Sequence, residues 1–233
     1  TLLVITNGMY AVNPLIYQSM PFRYSELRAV LVMASQGMLV AVSPRTGIQS
    51  LEQFIAQGRK SGLTLGSAGY GTPGHLGATI LAHSTGASVN HVPYKGNAPA
   101  TTALLSNEVD GGIISSTALL PHLAGNKVVP LAVTTRQRNP LLPQVATVGE
   151  LGHKALEQEV LFVVWLPQST PEPLVQKIQA QLERALKDSK LQERLRANDL
   201  FHEGLVGEAA AQRVQAVADR YRVVIQAAGM KME

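Results

Sequence analysis

The sequence predicts an α/β protein with mainly parallel sheets, and three observations carry that reading. Short apolar runs alternate with amphipathic helical stretches through most of the chain. A strand, a polar turn and a helix start follow one another three times in succession, with the turns at Ser67–Thr72, Tyr94–Asn97 and Ser115–Thr117. In an open parallel sheet such turns share the carboxyl edge, where ligands bind. Finally, the 233 residues are 45% hydrophobic and only 15% charged, enough for one large domain or two small ones.

Taken in order, Thr1–Thr6 reads as a buried strand turned by Asn7-Gly8, and Asn13-Pro14 opens a short helical piece. Ala29–Met33 and Met38–Val42 read as two strands separated by Ser35-Gln36-Gly37. Ser50 caps a helix that turns Leu51, Phe54 and Ile55 inward. Leu63–Leu65 begins a strand that breaks into glycines and hydroxyls. Thr72 as N-cap and Pro73 at the first position then open a helix carrying Leu76, Ile80 and Leu81. Val89–Val92 is a strand, Asn97 can cap the next helix, and Val109–Ile114 and Val128–Thr134 are strands. Val160–Leu166 is a further apolar strand. A long helix follows with Leu174, Ile178, Leu182 and Leu186 on one stripe, then helices at Leu191–Asn198 and Gly207–Ala228.

Composition excludes several function classes. Without cysteine there is no disulfide, thiol catalysis or thiolate metal site. The net charge of +4 is scattered rather than striped, and aromatics make up 5%, which argues for an anionic small ligand over nucleic acid. No apolar run is long enough to span a membrane. No signal peptide is visible, and because the chain starts at Thr1 a lost export signal fits it.

The stretch around Gly66–Gly77 organises the rest. Free N–H groups at a helix start, with the positive end of the dipole, form an anion site. Gly69-x-Gly71-x-x-Gly74 matches a dinucleotide fingerprint, but the acidic residue required about twenty positions later is missing. No Asp or Glu occurs between Glu52 and Glu108, so a bound carboxylate should carry no ammonium group. His75 and His83 share a helix without metal-binding spacing, and His91, His122, His153 and His202 read as isolated. Paired carboxylates and a Gly-x-Ser-x-Gly nucleophile are absent, so neither an enzyme nor a cofactor is expected.

Gly66-Ser-Ala-Gly-Tyr-Gly-Thr-Pro-Gly-His-Leu76, His91-Val-Pro-Tyr-Lys-Gly-Asn-Ala-Pro99 and Leu131-Ala-Val-Thr134 with Pro143–Gly149 resemble the solute-binding proteins of tripartite tricarboxylate transporters, the Bug family. The resemblance runs over essentially the whole chain. It implies a type II periplasmic binding protein with two α/β lobes joined by two crossing strands. A small carboxylate would be held in the inter-lobe cleft and delivered to a membrane permease from the periplasm. Lobe one would comprise residues 1–41 and 166–233, and lobe two residues 42–165. The implied ligand residues are Ser67, Gly71, Thr72, His75, Tyr94, Lys95 and Ser115 in lobe two, with Asn7 and Asn13 in lobe one. Ile114-Ser115 and Leu161-Phe162-Val163 depart from the family pattern, where Asp-Asn and an aromatic-aromatic-Gly step are common. Members also carry roughly sixty more residues at the start, so lobe one is expected to be incomplete, and the chain either poorly stable or paired with another copy through an exposed strand edge. Two other classes compete: the effector-sensing domain of a transcription regulator, and a nucleotide-dependent oxidoreductase.

Overall fold

The structure is a computed structural model and describes residues 1–17, 19, 23–227 and 229. The chain forms two compact units, Thr1–Gln36 with Val160–Glu233 and Gly37–Glu159. It opens with β1 (Leu3–Thr6), α1 (Asn7–Ala11) and α2 (Asn13–Ile16), and reaches the long strand β2 (Leu27–Val42). The second unit then adds α3 (Leu51–Ser61), β3 (Leu63–Ser67), α4 (Pro73–Thr85), β4 (Val89–Pro93), α5 (Asn97–Leu105), β5 (Gly111–Ser115), α6 (Ser116–Leu123) and β6 (Val129–Val133). β7 (Glu159–Pro167) returns the chain to the first unit, which closes with α7 (Glu172–Leu186), α8 (Ser189–Ala197), β8 (Phe201–Val206) and α9 (Gly207–Ala227).

In the second unit the strand order is β4-β3-β5-β2-β6. β3 is parallel to both β4 and β5, whereas β2 is antiparallel to β5 and β6. In the first unit β1 pairs antiparallel with β7, and the first half of β2 pairs antiparallel with β8. The strands are thus mixed in direction: parallel beside the three turns, antiparallel where the chain passes between units. Each unit has its own apolar core. Leu39, Leu104, Ile114, Leu119 and Val133 anchor the second, and Val30, Leu31, Val164, Val175 and Leu195 the first.

Several expectations are corrected. Ala29–Met33 and Met38–Val42 are one continuous strand, because Ser35 still pairs with Phe201 and Met38 already pairs with Ser115. That register also places Gly37–Val42 with the second unit, so the unit boundaries fall a few residues before 41/42 and 165/166. β1 is not buried: Leu2, Leu3 and Val4 are exposed, and among the described residues its only strand partner is β7. On α7 the inward face runs through Val175, Ile178, Leu182 and Leu186, while Leu174 points to solvent. β8 has no strand signal in the sequence, since its His-Glu-Gly interior lacks an apolar alternation.

Two glycines set how closely the second unit packs. A Cβ on Gly74, in the first turn of α4, would fall inside the van der Waals envelope of the Ile113 carbonyl oxygen of β5. A Cβ on Gly112 would meet the Gly66 carbonyl oxygen at 2.8 Å. Backbone atoms on a sheet have little room to give. Gly74→Ala is therefore expected to destabilise the protein by about 1–3 kcal/mol, as overpacked cores do. Urea unfolding followed by circular dichroism checks this, and an unchanged midpoint would show that α4 does not need that contact.

Candidate functional site

The three polar turns lie together at the carboxyl edge of β4-β3-β5. β3 and β4 run in register, Ser67 beside Pro93. Beyond that pair the turns stay joined, because Tyr94 N–H donates to Ser67 O at 2.9 Å and Gly96 N–H to Ala68 O at 3.1 Å. The third turn is tied to the second through Asn97, whose Oδ1 accepts from Ser115 N–H at 3.5 Å. Asn97 does not cap α5; Gly96 holds the capping position, and the amide is left to bridge the turns.

The loop before α4 is shaped by its own side chains. Thr72 is the N-cap residue, but its hydroxyl donates to Gly69 O at 2.6 Å instead of accepting from the helix. Pro73 has no N–H. The N–H groups of Gly74 and His75, in the first turn, have no acceptor within the helix. Gly71 N–H donates to His75 Nδ1 at 3.1 Å, and Ser67 Oγ accepts from Gly69 N–H at 3.1 Å. Gly69 and Gly71 have φ of +130° and +70°, so the loop depends on residues without a Cβ at both positions.

Behind this loop stands an aromatic cluster that the sequence reading missed. His91 stacks on His75 with ring centroids 4.4 Å apart and planes 25° apart. Tyr70 sets its ring edge-on to both, at 5.2 and 5.4 Å. Ser67 Oγ lies 2.6 Å from His91 Nε2, and His91 Nδ1 is buried without a partner. His91 is therefore not isolated. The signal was available in the register: Leu65 faces His91 across parallel strands, so Ser67, two residues on, shares its face. Burial lowers the pKa of His75, and burial followed by repulsion from His75 lowers that of His91 to about 4. Both rings are neutral at pH 7.

The remaining expected site residues divide. Tyr94 has its hydroxyl committed to Glu108 Oε1 at 2.7 Å; burial, then that contact, pushes its pKa to about 12. Lys95 is exposed and makes no ion pair among the described residues. Ser115 is buried at the end of β5, and Ser116 beside it donates to Gly37 O at 3.0 Å. Asn7 and Asn13 belong to the other unit. There Asn7 is buried and its Oδ1 accepts from Leu161 N–H at 2.9 Å, while Asn13 O accepts from Tyr17 N–H. Among the described residues no cluster of three or more His, Asp or Glu could hold a metal ion. No described helix is long and apolar enough to cross a membrane.

A histidine whose pKa is depressed on folding takes up protons more readily in the unfolded chain. His91 then contributes stability fully above about pH 6.5 and loses that contribution as the pH falls toward about 4. Thermal melts are expected to fall between about pH 7 and about pH 5, less steeply for His91→Gln than for the natural chain. Equal slopes would remove His91 from the account.

Comparison with known proteins agrees with this arrangement. Residues 1–230 match the model of the tripartite tricarboxylate transporter family receptor. A protein of the TAR-I ttuE-ttuC' intergenic region of Agrobacterium vitis is 34% identical over 170 residues, 72% of this chain and 49% of that one. BugT of Bordetella pertussis is 27% identical over 195 residues, 82% of this chain and 60% of that one. The chain thus spans about half the length of the first of these relatives. Among solved structures, R. palustris Rpa4515 with adipate superposes with a TM-score of 0.89 at 28% identity, covering 99% of this chain and 78% of that one. The periplasmic binding protein BugD gives 0.86 at 26%, covering 100% and 79%. With the type II binding-protein fold shared and the family matched along nearly its whole length, the chain belongs to the tripartite tricarboxylate transporter receptor family, the periplasmic Bug-type solute-binding proteins.

Proposed function

We propose that this protein captures a small organic carboxylate at the turn-bearing edge of the second unit and presents it to a membrane permease of the tripartite type, without chemical change. One observation carries the reading. Three turns joined by hydrogen bonds bring the loop Ser67–Thr72 and the first turn of α4 to one sheet edge, with unpaired helix N–H groups and neutral imidazoles. Charge-assisted N–H···O bonds to a carboxylate are stronger than neutral ones, and the helix dipole adds to them. The relative solved with adipate supports a carboxylate as cargo.

The same edge disfavours an ammonium group. The window from Gln53 to Asn107 has no acid, and Glu108, which follows it, is already bonded to Tyr94. A buried ammonium without a partner is costly. Catalysis finds no support in the geometry: Ser67 is fully buried, and its oxygen already bonds to both Gly69 and His91.

Isothermal calorimetry with matched pairs tests the reading. Succinate is expected to bind more tightly than aspartate, by about tenfold, the equivalent of one unpaired polar group. Gly69→Ala, which forces a Cβ to 3.0 Å from Tyr94 O at a φ of +130°, is expected to weaken succinate binding by a similar factor. Tighter binding of the amino acid, or no heat with any dicarboxylate, would overturn it.

A further inference from the structure

The His75–Gly71 bond has a consequence for how an anion is bound. Because Gly71 N–H donates to His75 Nδ1, the neutral ring carries its proton on Nε2. Adding a proton to Nδ1 turns acceptor into donor. Two N–H groups 3.1 Å apart would then face each other, unless an acceptor comes between them. A carboxylate oxygen is such an acceptor. It could take both the Gly71 N–H and the new Nδ1–H, beside the unpaired N–H groups of the first helical turn.

We propose, resting on the carboxylate-binding reading, that this bond is a proton-linked latch: an anion bound at the loop is taken up together with one proton, which goes from solvent to His75 Nδ1. The neutral, closed state is the bond from Gly71 to the ring. The loaded state replaces it with two N–H···O bonds to the anion. The proton places a positive charge within the loop itself, whereas Lys95 on the next turn is exposed. Only one proton is taken, because His91 stacks on His75 at 4.4 Å and a second charge there would be repelled.

The surroundings leave His75 as the titrating group. α4 packs against β3, β4, β5 and the turn Lys154–Leu156. β3 and β5 carry no titratable side chain, and β4 carries only His91. The turn brings Lys154, which is exposed, followed by Glu157, which pairs with Arg136. The loop itself adds Tyr70, and the next loop Lys95 and Tyr94 with its partner Glu108. Burial lowers the pKa of His75 in the unliganded state, so the site starts deprotonated at pH 7 and has room to gain a proton.

Calorimetry of the full chain with adipate, in buffers of different ionisation enthalpy, measures proton uptake directly. Uptake of up to one proton is expected, with affinity rising as the pH falls from about 8 to about 6.5, at most tenfold per unit. In His75→Gln, whose amide oxygen can still accept from Gly71 but does not titrate, uptake should vanish and the affinity become flat with pH. In His83→Gln, on the exposed side of the same helix, uptake should persist. Adipate binding with a heat independent of buffer, or uptake that survives in His75→Gln, overturns the latch and leaves the carboxylate reading standing. No adipate binding at all overturns that reading, and the latch falls with it. If His75→Gln does not fold, nitrogen NMR of the His75 ring in the natural chain decides. A move of Nδ1 to its protonated shift on adding adipate supports the latch, and an unmoved resonance overturns it.

Discussion

The first turn of α4 lies against the backbone of β5, and that approach exists only because Gly74 has no side chain. The Ile113 carbonyl occupies the space a Cβ would need. One turn further on, Gly77 performs the same service against Ile113 and Gln158. The helix start is thereby pressed onto the sheet edge instead of standing off it by the width of a methyl group. The contacts of His75 depend on this placement. From there His75 reaches back to Gly71, and its ring meets His91 on β4. A helix start held further out would still have a dipole, but not these neighbours.

The electrostatics of the edge are those of dipoles, not of fixed charge. Lys95, the basic side chain within the turns, is exposed. Several other basic groups are occupied elsewhere: Arg138 with Glu150, Arg213 with Glu203, Arg28 with Glu172. Backbone donors keep their strength at every pH and are fixed before an anion arrives, so little reorganisation is needed. They hold fractional charge, however, and a full carboxylate charge leaves an imbalance. In the proposed latch His75, a neutral imidazole beside such donors, corrects it by gaining a proton.

Much of this was legible in the chain, and what was not had a local reason. The alternation of strands and helices, the three turns, and Pro73 at the start of α4 follow from spacing and from backbone preferences that tertiary structure did not override. The continuity of β2 was hidden because Ser35-Gln36-Gly37 looks like a turn. The break is cancelled by partners far away in sequence, Phe201 on one side of it and Ser115 on the other. β1 read as buried because Leu-Leu-Val-Ile is apolar; composition says nothing of how many strands flank a given one. The histidine stack was lost because the rings come from residues 75 and 91, and their meeting depends on the α4–β4 packing.

The expected ligand residues mostly bond to the loops themselves. Ser67 bonds to Gly69, Thr72 to Gly69 O, His75 to Gly71 N–H, and Ser115 N–H to Asn97 Oδ1. A motif of this kind therefore specifies the shape of a backbone cradle more than a set of side-chain contacts. Backbone N–H groups distinguish an anion from a cation, but they read one carboxylate much like another, since each offers the same two oxygens. Under the proposed function a shared cradle is compatible with different cargo among relatives, and discrimination would fall to side chains near the turns that are free of such duties. Tyr70 is so placed. Its ring is edge-on to both imidazoles, and at 56% exposure it presents the rest of its surface to whatever lies against the loop.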